Sequence, residues 1–349
     1  MSAASRGCSR PWPDAVAAPL APDFRPRYHE LHRVGRPGWW RSVVGIVLLL
    51  GLVFAVVPLI VGGVAFILLV ASGSSAAEAS AVLDVTEEAT PAGLALLNVI
   101  IAAAIPLTFL VTWWLHRLKP RWVSSVAPRL RWGYLFVCLG LSVVALLASL
   151  GVALLLPVQS GDMPAGTVND FTAQTRDFIL VILLLTPLQA AGEEYLFRGY
   201  LTQAFGSLVW ARQASQALAV LGPALIFALF HGLSQDWPVF FDRFAFGVVA
   251  GILVIRTGGL EAPIAMHVLN NFLAFGLALT FGDLTTALNA EGGSSWWTIL
   301  STMTQSLVYL GLATWVARAM GLVTTGPPVG GALPPSGGDP VLAVPPPRV

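Results

Sequence analysis

Charge is scarce in this chain. Only 11% of its 349 residues are Asp, Glu, Lys or Arg, against 56% hydrophobic residues and a mean hydropathy of +0.76. A soluble domain needs about a quarter of its residues charged, so the composition excludes a water-exposed globule and makes lipid the solvent. Net charge is only +1, which removes bulk attraction to nucleic acid. Cysteine is nearly absent. Cys8 sits in a polar tail and Cys138 in an apolar stretch, which excludes a disulfide framework and a CxxC metal site. Three catalytic signatures are missing as well. There is no G-x-S-x-G elbow and no thiol near the polar motifs described below, so covalent catalysis is poorly supported, and there is no His-Glu-x-x-His helix either. No internal repeat is evident.

What the chain does have is length in apolar runs. Eight segments come near the roughly 20 residues that cross a bilayer: about 43–72, 93–116, 134–158, 174–200, 214–232, 238–256, 260–281 and 296–320. The expected fold class is therefore all-α, a polytopic transmembrane helix bundle. An amphipathic stretch at 200–213 is expected to lie along the interface. Residues 1–41 are rich in Pro and Arg and are expected to form a disordered tail. Residues 42–322 are the membrane domain, with a motif core at 174–281. Residues 323–349 are Pro/Gly-rich and expected to form no packed element. The first apolar run starts behind about forty polar residues, too late for a secretory signal.

Basic residues are asymmetric. The N-terminal tail holds seven Arg, the segment 116–131 holds four Arg and Lys119, and Arg198, Arg212, Arg256, Arg318 and Arg348 fall on the same side. That is seventeen of nineteen basic residues. The positive-inside rule then puts both termini in the cytoplasm of a multi-pass protein of the cell membrane.

Ionisable groups at membrane depth cost several kcal/mol unless paired or hydrated. Three such groups stand out. The first is Glu193-Glu194-x-x-x-Arg198. Glu194 and Arg198 share a helix face and are placed to pair. Glu193 points about 100° away, with no obvious partner in its own helix. A carboxylate so placed suits a general base, although two interfacial glutamates neutralised by Arg198 explain the motif equally well. The second is Phe227-x-x-x-His231, where Phe227 can wall the imidazole from lipid and Gly232 is expected to end the helix. A lone histidine in an apolar helix is more often a packed residue than a catalyst. The third is His267-x-x-x-Asn271, two polar groups on one face. They suit a helix-packing pair or donors to a developing oxyanion. Asn270 falls on a different face. Asp242 and Arg243 read as a structural or snorkelling pair.

Taken in order, the three motifs, with GEEYLFRGYL and GGLEAPIAMHVLNN around them, resemble the CAAX-protease and bacteriocin-processing (Abi) family of intramembrane endopeptidases. The resemblance covers about 174–281. It implies hydrolysis of a peptide bond in a membrane-associated substrate, including CAAX-type processing of a prenylated C-terminus. It also implies roles. Glu193 activates water, His231 orients or deprotonates it, and His267 and Asn271 stabilise the oxyanion. Glu194 and Arg198 support them. The family has been described both as glutamic and as zinc-dependent, and Glu193, His231 and His267 from three helices are the zinc set the second description needs. A non-catalytic scaffold or immunity protein is the alternative. A proton-coupled transporter using Glu193, Asp242 and the histidines as a relay is the other. One tension stands: His231 falls near the opposite end of its span from Glu193 and His267.

Overall fold

A computed structural model of the protein describes residues 23–157, 168–231, 236–289 and 296–329. Among the described residues, eight helices are long and apolar enough to cross a membrane. They are α1 (Trp39–Ala71), α2 (Pro91–His116), α3 (Trp132–Ala153), α4 (Ala173–Gly206), α5 (Arg212–Phe230), α6 (Trp237–Thr257), α7 (Glu261–Phe281) and α8 (Trp296–Ala319). Among the described residues there is no strand. The chain is an all-α polytopic bundle, as the apolar runs predict.

The bundle is organised around α7, which packs on α3, α4 and α6. The N-terminal half of α7 is the most enclosed: Glu261 to Val268 are all buried. Leu147, Leu155, Leu184 and Ile67 face outward, as lipid-facing residues of a membrane bundle must. Exposed tryptophans mark both ends. Trp39, Trp40, Trp113, Trp114 and Trp132 lie at the arginine-rich end, and Trp237, Trp296 and Trp297 at the other. Such rings settle at the headgroup level.

Two expectations are corrected. Residues 200–213 do not form a separate interfacial stretch. The α4 helix continues through a widened π-type turn at Tyr195–Leu201 and on to Gly206, with Tyr200, Leu201, Thr202, Gln203 and Ala204 all buried. At 1.5 Å per residue α4 is about 50 Å long, against about 30 Å of hydrocarbon. The segment is amphipathic because its polar side faces protein, not water.

The tails are also less open than their composition suggests. Within 1–41, Tyr28–Arg33 forms a short 3-10 helix with every residue buried. Arg33 holds it by hydrogen bonds to the carbonyls of Gly206 and Val209 and to Ser215. Tyr28 donates to the Val123 carbonyl. Within 323–349, Gly326 and Val329 donate backbone N–H bonds to Pro26 and Phe24, beside a bridge between Arg27 and Thr325. Specific side chains and backbone pairing overcome the low hydrophobicity of both segments. The rest of both tails lies outside the described residues.

Candidate active site

The site forms where α4, α5 and α7 meet. Pro187 interrupts the hydrogen bonding of α4 one turn and a half before Glu193, and the π-type turn begins just after Glu194. Such turns widen a helix and recur at functional positions. Gly192 lets α2 come close: a Cβ there would stand 2.4 Å from the Ile101 carbonyl oxygen.

Glu194 is fully buried and binds two cationic or donor groups through one oxygen. Arg198 Nη1 donates to Glu194 Oε1 at 2.8 Å, and His267 Nδ1 meets the same oxygen at 2.8 Å. The i,i+4 pairing expected from the sequence is present. An ionised carboxylate only accepts, so His267 Nδ1 must carry its proton. The remaining nitrogen, Nε2, lies 3.6 Å from Glu193 Oε2. That oxygen is buried and takes no hydrogen bond among the described residues.

Glu193 is not without a partner in its own helix. Gln189, one turn earlier, donates from Nε2 to Glu193 Oε1. Asn271 Nδ2 in turn donates to Gln189 Oε1 at 2.9 Å. Asn271 therefore reaches Glu193 through Gln189. Gln189 carried no weight in the motif reading. Its signal was an amide inside an apolar span, four residues before Glu193, and only the fold shows that Asn271 faces it.

Phe227 is the hub of the aromatic shell. Its ring contacts those of His231 (centroids 4.4 Å apart), His267 (6.1 Å) and Phe246 (5.9 Å). The Arg198 guanidinium lies 4.3 Å above it, so the cation is covered by an aromatic face as well as paired. His231 stands just past the end of α5, where its Nδ1–H donates to the Phe227 carbonyl at 2.7 Å. This leaves Nε2 as its basic nitrogen. His231 is within electrostatic reach of Glu193, His267 and Arg243. Among the described residues its ring makes no hydrogen bond to Glu193, His267 or Asn271. Gly232 lies outside the described residues.

The depth conflict is resolved by the length of α4. Ser215 bonds the Gly206 carbonyl and aligns α5 with α4 at the arginine-rich end. From that point Glu193 is about 20 Å along α4, and His231 about 24 Å along α5, at 1.5 Å per residue. A helix ending at residue 200 would have placed Glu193 only about 10 Å in.

Other polar residues bond outside the Asn271–Gln189–Glu193 chain. Asn270, on its own face, accepts from Gln305 of α8. Asp242 accepts from Thr302 of α8, and Arg243 reaches the His231 carbonyl at 3.4 Å. The start of α7 is fixed by an ion pair the motifs do not suggest. Arg131 binds both oxygens of Glu261, at 2.8 and 2.6 Å, and its Nη1 donates to the Thr257 carbonyl. Among the described residues no three His, Cys, Asp or Glu side chains are placed to hold a metal ion.

Comparison with known proteins agrees with the motif reading. Residues 175–273 match the family model described as type II CAAX prenyl endopeptidase Rce1-like, which bears out the resemblance over that segment. An uncharacterized protein, YyaK, of Bacillus subtilis (strain 168) is 28% identical over 160 residues, 43% of this chain and 52% of that protein. An uncharacterized 24.3 kDa protein of Escherichia coli is 31% identical over 119 residues, 34% of this chain and 51% of that protein. The chain thus spans about half the length of each of these relatives. No solved structure matches it.

Proposed function

With residues 175–273 carrying the pattern of a type II CAAX prenyl endopeptidase, we propose that this chain is an intramembrane endopeptidase acting on a membrane-associated substrate. Such a substrate includes a peptide with a prenylated C-terminal cysteine. The observation that carries the reading is Glu193 Oε2, a buried carboxylate oxygen with no hydrogen bond among the described residues, 3.6 Å from the Nε2 of an oriented histidine.

The chemistry follows from those atoms. Glu193 Oε2 takes one proton from a water molecule, and the water oxygen forms a bond to the scissile carbonyl carbon. The oxyanion is stabilised by His267, through Nε2–H in its protonated form, and by the Asn271 N–H that Gln189 does not use. Collapse breaks the C–N bond, and the proton held by Glu193 passes to the leaving amine. His231, its Nδ1–H held by the Phe227 carbonyl, orients the water through Nε2 from the α5 side. The arginine-rich face is cytoplasmic, so the substrate's polar end arrives from the cytoplasm. No step uses a metal ion.

The non-catalytic scaffold reading keeps one supporting fact: the Glu194–His267 bond ties α4 to α7 as a packing device would. One experiment separates the two. The protein in liposomes is given a quenched fluorescent peptide ending in a farnesylated CAAX-type sequence, and the same peptide unprenylated. Glu193→Gln is expected to lower turnover by about 10²–10⁴-fold with unchanged folding. Full activity in that variant, or no cleavage of either peptide by the unaltered protein, removes the peptidase reading for these substrates.

A further inference from the structure

The direction of the Asn271–Gln189–Glu193 chain is set by charge. An ionised Glu193 can only accept, so Gln189 must turn its amide nitrogen toward it. That places Gln189 Oε1 on the other side, where it can only accept, so Asn271 must present its amide nitrogen in turn. Each amide has one orientation compatible with the next. Gln189 is buried, and both of its polar atoms are used within this chain. It lies on the face of α4 that meets α7, one turn before the glutamates.

We propose that Gln189 is a positioning residue for hydrolysis. It fixes the plane of the Glu193 carboxylate by occupying Oε1, which directs the unpartnered Oε2 toward His267, and it fixes the Asn271 amide with its nitrogen toward the site. The proposal rests on the peptidase reading above and extends it to a residue outside the three motifs. The physical content is preorganisation. A carboxylate free to rotate, or an Asn amide free to flip, spends much of its time presenting the wrong atom to a reacting water or oxyanion. The amide bridge also couples the base on α4 to an oxyanion donor on α7, so the two groups keep their separation when substrate arrives.

The test uses the whole protein in liposomes with the farnesylated CAAX-type peptide. Gln189→Met keeps the side-chain volume and removes both hydrogen bonds. It is expected to lower kcat about ten- to hundredfold, the loss of a hydrogen bond to a charged group, with KM within about twofold. Gln189→Glu keeps the acceptor for Asn271 but sets a second carboxyl against Glu193, so that the two share a proton and the base loses its ionised form, and is expected to lower kcat at least as far. Asn271→Ala is expected to cost much less in the Gln189→Met background than alone, because the two act as one unit. A substrate-free readout accompanies these. The infrared carboxylate band of Glu193, isolated by subtracting the Glu193→Gln spectrum, is expected to move in Gln189→Met. Unchanged kcat in both Gln189 variants, additive losses with Asn271→Ala, or an unmoved band overturns the proposal. If Glu193→Gln abolishes turnover while Gln189→Met retains it, this proposal fails and the peptidase reading stands. If Glu193→Gln retains turnover, the peptidase reading itself fails.

Discussion

Replacing Arg198 by Met would leave Glu194 fully buried with one carboxylate oxygen facing a single imidazole. Breaking a buried ion pair from one side costs about 3–5 kcal/mol, because the remaining charge stays desolvated. Loss of the guanidinium from the Phe227 face, 4.3 Å away, adds about 1–2 kcal/mol. Glu194→Met strands Arg198 and His267 in the same way and is expected to cost a similar amount. The double variant, Glu194→Met with Arg198→Met, removes both charges and leaves two apolar side chains of comparable length. Hydrophobic replacement of a buried pair is often neutral or better, so the double variant should cost less than either single one. Activity should not return with stability, since His267 Nδ1 has lost its acceptor. Unfolding by increasing SDS fraction in mixed micelles, followed by the fluorescence of the 12 tryptophans, measures the cycle. Single variants costing less than about 1 kcal/mol, or a double variant equal to their sum, would show that the cluster is not a tightly coupled buried pair.

Two further outcomes are expected. Gly192→Ala puts a methyl group 2.4 Å from the Ile101 carbonyl oxygen, so α2 and α4 must part at a cost of about 1–3 kcal/mol. Gly140→Ala, with nothing near its added Cβ, should be neutral or slightly stabilising in the same micelle assay, and equal effects would refute the contact argument. Acid should loosen the segment 28–33. Burial holds His29 down at about 4, against the opposing pull of Glu30, and burial together with the stacked His116 pushes His32 well below its ordinary value. Unfolded histidine binds a proton near pH 6.5 and these do not, so the segment's stability falls as pH drops from about 6.5 toward 4. Hydrogen exchange of residues 28–33 at pH 7 and pH 4.5 checks this, and equal protection at both would contradict it.

Local relations were legible in the sequence and remote ones were not. The eight spans emerged because each needs only its own composition, and their limits agree to within a few residues except at α4. The Glu194–Arg198 pair emerged because a helix brings residues four apart together whatever surrounds it. Gln189 obeys the same spacing to Glu193, yet an amide in an apolar helix signals nothing until its second partner is known. That partner, Asn271, is 82 residues away. Arg131 and Glu261, 130 residues apart, were hidden for the same reason, and Arg131 read only as topological charge. The end of α4 was misjudged because polar residues that face protein and polar residues that face water share one pattern.

The backbone pairing of residues 24–27 with 325–329 has a consequence for how the bundle holds together. An even number of crossings returns the chain to its starting side, and there the two segments meet, so an otherwise linear path is clasped into a ring. A load applied at one extremity is shared with the eighth helix as well as the first, and neither outer helix can peel away alone.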